Sequence, residues 1–197
     1  MTKTELLKKN YQRVCSLPWD RNISGAQKVW LAVYDKEDER KLRLRVGLFE
    51  EATHQTGHQW HALDLTDAFA NWMTSPENAS YAPSYFESPE LLDEAVLADF
   101  KQLVVSQIRA ILDKLPNAED AVLGVYGVAS LFGFLKVSEL LPMVEGHIRG
   151  RLLIFFPGVY EQDNYRLLDA RDGWNYHAVP ITASESEATP IFAVPTG

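Results

Sequence analysis

The stretch Arg151-Leu152-Leu153-Ile154-Phe155-Phe156-Pro157-Gly158 decides the fold, because it is almost wholly apolar and stops at a Pro-Gly pair. A strand with both faces buried has this composition, since its alternating side chains all meet the protein interior. We therefore predict a central strand over residues 152–156. Ligands of open α/β sheets bind where strands end, so the residues after this strand are candidates for a site. We expect Pro157-Gly158 mainly to end the strand and redirect the chain, with any ligand role secondary.

Further apolar runs and helical spacings place the other elements around this strand. Short runs rich in β-forming residues predict strands over 29–34, 60–65 and 122–128. Apolar side chains at helical intervals, with capping residues, predict helices over 3–16, 35–57, 88–115 and 137–146, and a short helix after Asp67.

One helix has a competing interpretation. The segment Lys41-Leu42-Arg43-Leu44-Arg45-Val46 also alternates with period two, which would suit an exposed strand. We favour the helix, because its apolar pattern continues to Thr53.

The C-terminal part predicts an antiparallel hairpin. Asp172-Gly173 stands between two strand-like runs, residues 165–170 and 174–179, and Asp-Gly is a strong hairpin signal. Strands alternating with helices, followed by this hairpin, predict an α/β fold. In detail we expect a three-layer sandwich with a mainly parallel sheet extended by a C-terminal antiparallel hairpin. Residues 1–182 would form a single domain, and residues 183–197 a polar tail.

The charge is unevenly distributed along the chain. The net charge is −8, yet residues 1–49 carry eleven basic and six acidic side chains, whereas residues 50–120 carry three basic and thirteen acidic ones. A stand-alone binder of duplex nucleic acid has a basic footprint, so direct nucleic-acid binding is expected only within a complex. A basic end and an acidic centre suit docking to a protein.

Composition also bounds the location. The chain has no run of the ~20 apolar residues that a membrane span requires, and its charged N-terminus lacks the apolar core of a signal peptide. Its single cysteine, Cys15, cannot form an internal disulfide. These features predict a cytoplasmic protein with no membrane partner.

The sequence contains no recognisable catalytic or cofactor motif. Neither a phosphate-binding loop nor a dinucleotide fingerprint occurs, and the serine after the third strand lacks the Gly-x-Ser-x-Gly spacing of a nucleophile elbow. His54, His58 and His61 do not follow a metal-ligand pattern, and we expect solvent-facing or hydrogen-bonded side chains there. We therefore predict no catalytic, cofactor-binding or metal-binding residues.

The most suggestive surface is the hairpin, where aromatic and arginine side chains are dense. Such residues are enriched at protein interfaces, so Tyr160, Tyr165, Arg171 and Trp174 are our candidate partner contacts. A well-packed sheet edge would explain the same residues equally well. A second candidate surface is the basic helix with Arg40, Arg43 and Arg45, which would otherwise be a solvated face.

The chain resembles the BrxB family of bacterial BREX phage-defence systems. The resemblance is strongest in the segments 149–158 (RGRLLIFFPG) and 164–176 (NYRLLDARDGWNY), and extends to Gly57-His58-Gln59-Trp60, Asp64-Leu65-Thr66 and the overall length. BREX systems methylate host DNA as a self mark and block phage replication. The resemblance implies a non-catalytic subunit that associates with other BREX proteins, foremost the PglZ phosphodiesterase-like component. It carries over no catalytic residue.

The sequence therefore predicts an adaptor rather than an enzyme, without a cofactor. The alternative is a nuclease or nucleotide hydrolase of the same system that lacks familiar motifs. That alternative requires acidic side chains, such as Asp64, Glu161 and Asp169, to converge on one metal-binding cleft.

Overall fold

The computed structural model describes residues 1–170 and 173–185 of the chain. Within these residues the fold is mixed α/β, as predicted, with one mixed sheet of seven strands. The strands are β1 (Val29–Tyr34), β2 (Gln59–Asp64), β3 (Ala121–Tyr126), β4 (Arg151–Glu161), β5 (Asn164–Leu167), β6 (Trp174–Asn175) and β7 (Val179–Ile181). The helices are α1 (Lys3–Cys15), α2 (Glu39–Arg43), α3 (Val46–Gln55), α4 (Ala68–Met73), α5 (Ala82–Glu87), α6 (Glu94–Lys114) and α7 (Val137–Val144).

The strand order places β4 and β1 in the middle of the sheet. The order is β2-β3-β4-β1-β7, and each of these neighbouring pairs runs parallel. At the carboxyl end of the sheet, β5 pairs antiparallel with the last part of β4, and β6 pairs antiparallel with β5. The chain therefore returns from β6 to the main sheet, where β7 lies beside β1.

The strand β4 is longer than predicted, and Pro157-Gly158 does not end it. Residues up to Pro157 lie beside β1, whereas Gly158 to Glu161 pair with β5. The two residues thus mark a change of neighbour. Gly158 is required there, because a Cβ on it would lie 2.0 Å from the carbonyl oxygen of Arg166. The connection to β5 is a two-residue turn, Gln162-Asp163, with φ of 49° and 63°, which fits the twist of a tight hairpin.

The predicted hairpin is present in a shorter form. Tyr165 of β5 lies opposite Trp174 of β6, but only two residue pairs join the strands. The predicted turn residues Arg171 and Asp172 lie outside the described residues. The predicted polar tail, residues 183–197, also lies outside them from residue 186 onward.

Two apolar cores use opposite sides of β1. Val29, Leu31 and Val33 share one core with side chains of α6, including Phe100 and Ile108. The alternating residues Trp30, Ala32 and Tyr34 share the other core with side chains of α1 and α3, which include Leu7, Tyr11 and Phe49. Burying each large apolar side chain stabilises the fold by about 1.5–3 kcal/mol.

The long helix α6 begins later than the Ser88 start that the sequence suggested. Pro89–Leu91 forms a short 3₁₀ turn, and Ser88 makes no side-chain cap. Asp93 is the cap instead, since its carboxylate accepts a hydrogen bond from the backbone N–H of Val96 at 3.0 Å. The helix therefore begins at Glu94, five residues after the predicted first turn at Pro89.

The predicted helix over residues 35–57 is interrupted. It consists of α2 and α3, separated by Leu44 and Arg45, and no strand forms over residues 41–46. Leu42, Val46 and Phe49 are buried, which follows the helical apolar pattern. The exposed-strand alternative is therefore wrong. Among the residues described, no helix combines the length and the apolar character needed to cross a bilayer.

Candidate functional site

The short strands β5 and β6 form one wall of a cleft of about 810 Å³. Trp174 contributes to this wall, and the first turns of α6 and the segment before α7 form the other walls. The apolar lining includes Leu97, Phe132, Phe134 and Leu167. We call this feature the Trp174 cleft.

A row of aromatic rings runs across three strands and ends at Trp174, which lines the cleft. Tyr160 of β4 lies opposite Tyr165 of β5, which lies opposite Trp174 of β6. The ring centroids are 4.6 Å apart for the first pair and 5.4 Å apart for the second. Trp174 also packs against Phe156 and Tyr176, at 6.4 and 5.3 Å. The row holds the indole in place from several sides.

Tyr165 cannot contact a partner directly, which corrects its assignment as a contact residue. Its side chain is 0% exposed, and its hydroxyl donates a hydrogen bond to the carbonyl oxygen of Ala178 at 3.0 Å. Burial raises the pKa of this phenol well above its ordinary value. Its position was not predictable from composition, because the rings of Phe156, Tyr160 and Trp174 pack around it from three different strand positions.

The other hairpin candidates have different positions. Tyr160 is partly exposed and donates a hydrogen bond to Asp163 at 2.9 Å. Burial, and then this hydrogen bond, raise the pKa of its phenol. Tyr160 lines a separate, smaller cleft of about 290 Å³, together with Lys3 and Tyr34. Arg171 lies outside the described residues. Among the hairpin candidates that the structure describes, Trp174 is the one that lines the large cleft.

Phe132 is a residue of the Trp174 cleft that sequence analysis missed. It is 46% exposed, although it is a large apolar side chain, and it precedes Gly133, whose φ is +86°. At the same cleft, Lys101 donates to the carboxylate of Glu139 at 3.0 Å. Phe132 and Phe134 on either side of Gly133 could have indicated an aromatic surface in the sequence. The exposure of Phe132, however, depends on contacts that a single sequence does not reveal.

The second predicted surface is basic and surrounds an apolar side chain. Arg40, Arg43 and Arg45 are all exposed, and Leu44 between them is 82% exposed. Arg43 lies 3.9 Å from the carboxylate of Asp64, at the end of β2. The surface is the end of α2 and its connection to α3, rather than the face of one continuous helix.

The acidic residues that an enzymatic site would need have separate partners. Asp64 accepts a hydrogen bond from the backbone N–H of Thr66 at 2.9 Å. Glu161 pairs with Arg166 at 3.3 Å, and Asp169 pairs with Lys36 at 2.5 Å. Across residues 1–170 and 173–185, no three Asp, Glu, His or Cys side chains form a group that could hold a metal ion. Asp64, Glu161 and Asp169 thus do not form the metal-binding group that the enzymatic alternative requires.

His58 is half-buried, and its imidazole packs within the fold rather than facing solvent. Its ring stacks on Trp19 with centroids 3.6 Å apart, and its Nδ1 is buried without a hydrogen-bond partner among the described residues. The buried guanidinium of Arg151 lies 4.9 Å from the Trp19 ring centroid. Burial is the main cause that lowers the pKa of the imidazole, and Arg151 lowers it further.

Comparison of the chain with models of protein families, with curated proteins and with solved structures found no match.

Proposed function

We propose that this chain is a non-catalytic adaptor subunit of a BREX anti-phage defence system, binding another BREX component, foremost a PglZ-type protein. The observation that carries the proposal is the Trp174 cleft, an apolar concavity lined by Trp174 and the half-exposed Phe132. The family resemblance supplies the system and the partner.

The chemistry of the cleft suits a protein partner. Trp residues are among the side chains that contribute most to binding when a partner covers them. The row of rings behind Trp174 holds it rigidly, so little side-chain entropy is lost on binding. The ion pair of Lys101 and Glu139 adds polar groups at the cleft, which is the pattern of an apolar centre with a polar rim.

The separate pairing of the acidic side chains supports a non-catalytic role. Asp64, at the end of β2, Glu161, at the end of β4, and Asp169, after β5, are each held by a different donor or cation. Their carboxylates are engaged in the fold, so binding remains the function that the geometry supports best.

We infer a three-layer sandwich on a mainly parallel sheet, because β1 contributes alternate side chains to two separate cores. We also infer a cytoplasmic location, which the single cysteine and the resemblance favour.

The test is co-purification with a PglZ-type protein from the same gene cluster. The two proteins are expressed together and passed over a gel-filtration column at micromolar concentration. Phe132→Ala should weaken the complex by about tenfold, because it removes an exposed apolar contact. It is a cleaner probe than a change of Trp174, which also packs on the core.

Two controls locate the contact. Leu17→Ala removes another apolar side chain of similar exposure, 40%, and should leave the complex intact. Arg40→Glu with Arg45→Glu tests the basic surface. Separate elution of the wild-type proteins would contradict the adaptor proposal, and an intact Phe132→Ala complex would remove the Trp174 cleft from it.

A further inference from the structure

We propose that the segment from Tyr81 to Leu91, which comprises α5 and the residues on either side of it, is a second docking surface that binds a basic, apolar segment of a partner protein. This surface is distinct from the Trp174 cleft and was not anticipated from the sequence. The segment combines exposed apolar side chains, acidic neighbours in sequence and contacts that hold it against the domain.

The segment exposes three large apolar side chains within eleven residues. Phe86 is 78% exposed, Tyr81 is 58% exposed and Leu91 is 48% exposed. Among the large apolar side chains described as exposed, only Met1 and Leu44 exceed Phe86. Single exposed apolar side chains are normal on a surface, whereas groups of them mark interaction sites, and these three lie within eleven consecutive residues.

The sequence around these side chains is acidic. From residue 62 to residue 100 the chain carries eight carboxylates and no lysine, arginine or histidine. Glu87 and Glu90 flank the exposed apolar residues and are themselves exposed. In the part of the chain that the structure describes, neither carboxylate forms an ion pair within the molecule. Their charge is therefore available to a partner.

The segment is held against the domain rather than loosely attached. Ala82 and Tyr85 of α5, and Leu92 just beyond the segment, pack against the core that contains α6. Ahead of it, the side-chain amide of Asn78 donates to the carbonyl oxygen of Trp72 at 3.1 Å. Phe86 is thus exposed on a supported helix, and not because its backbone lacks contacts.

These features define the chemistry of the partner. An apolar side chain of the partner would cover Phe86, and lysine or arginine side chains beside it would meet Glu87 and Glu90. Nucleic acid is a poor fit, because its phosphates would be repelled by the acidic surface. The occupant is accordingly a protein segment that combines basic residues with aliphatic or aromatic ones.

The test uses a defined probe, a fluorescein-labelled peptide of repeating Arg-Leu-Lys units, titrated with the whole chain and followed by anisotropy. Phe86→Ala should weaken binding by about tenfold, since an exposed aromatic anchor is lost. Glu87→Gln with Glu90→Gln should weaken it and reduce its dependence on salt, because salt screens the contact between charges. A peptide with serine in place of leucine should bind more weakly to the wild type.

The matched control is Glu50→Gln with Glu51→Gln on α3, which changes the net charge equally at two other exposed positions. This control should bind the peptide like the wild type, and circular dichroism should show all variants folded. Equal weakening by both double variants, or equal binding of the two peptides, would overturn the proposal, since binding would then reflect net charge alone. Self-association of the pure chain that Phe86→Ala abolishes would also overturn it, because the occupant would be a second copy. The titration needs no BREX partner, so its result is independent of the adaptor proposal.

Discussion

The indole ring of Trp174 lies directly across the β5–β6 pair from the buried ring of Tyr165, with 5.4 Å between their centroids. The buried ring is fixed by its hydrogen bond to Ala178, and the indole reaches the cleft. Tyr165 thus supports the site from within the fold, whereas Trp174 forms part of its surface. This division explains why the aromatic residues of one hairpin should respond differently to substitution.

Tyr165→Phe should destabilise the protein by about 1–3 kcal/mol, because it leaves the carbonyl of Ala178 buried without its donor. Urea denaturation followed by fluorescence measures this loss. Tyr81→Phe, at a side chain that is 58% exposed, is the control and should change little. Similar unfolding free energies for both variants would mean that the Tyr165 hydroxyl is not a structural group.

Gly158→Ala should destabilise the protein by about 2 kcal/mol or more, because the new Cβ would lie 2.0 Å from the Arg166 carbonyl oxygen. Gly47→Ala in α3 has no neighbouring atom within 4 Å of its new Cβ and should stabilise the helix by about 0.5–1 kcal/mol. Thermal unfolding of the two variants should therefore shift in opposite directions. A harmless Gly158→Ala would contradict the close pairing of β4 with β5.

Asp93→Ala should cost about 1 kcal/mol of stability, since it removes the cap of α6. Ser88→Ala should cost almost nothing, because Ser88 makes no side-chain cap. Chemical denaturation of both variants decides which residue begins the helix. A larger loss for Ser88→Ala would restore the start that the sequence suggested.

The stability of the protein should fall on mild acidification because of His58. Its folded pKa lies below the ordinary value of 6.5, so at intermediate pH the unfolded chain binds more protons than the folded chain. The contribution of the neutral imidazole is complete above about pH 6.5 and is lost as the pH falls toward the folded pKa. His58→Gln should flatten this dependence in urea midpoints compared at about pH 5 and about pH 8.

The control for the acid effect is His54→Gln, since His54 is exposed on α3. This variant should keep the pH dependence of the wild type. An unchanged profile in His58→Gln, or an equal flattening in both variants, would show that the stacked imidazole does not cause it.

Local patterns were sufficient for the interior of the fold. The run Val29–Tyr34 was predicted with its observed bounds, because a continuous apolar run has few other solutions in a soluble domain. The helix predicted over residues 3–16 likewise forms as Lys3–Cys15, and it begins with a capping box of Thr2 and Glu5. These features depend on contacts between near neighbours in the chain, or on burial alone.

Features that depend on distant partners could not be predicted in the same way. Pro157 continues a strand because β1 on one side and β5 on the other supply its neighbours, and no local signal encodes them. The turn at Gln162-Asp163 lacks the Asn-Gly or Asp-Gly pair that announces such turns. The exposure of Phe132 and Phe86 likewise follows from what fails to pack on them, which periodicity cannot reveal.

The length of β4 has a mechanical consequence. The single strand β4 lies in the centre of the sheet and also, through Gly158 to Glu161, pairs with β5, which supports Trp174. Because β4 is continuous through both regions, its pairing with β5 should not open independently of the sheet centre. The amide hydrogen exchange of Gly158 to Glu161 should therefore be as slow as that of the interior. A force that a bound partner exerts at the Trp174 cleft would then be transmitted along the backbone of β4 to the centre of the domain.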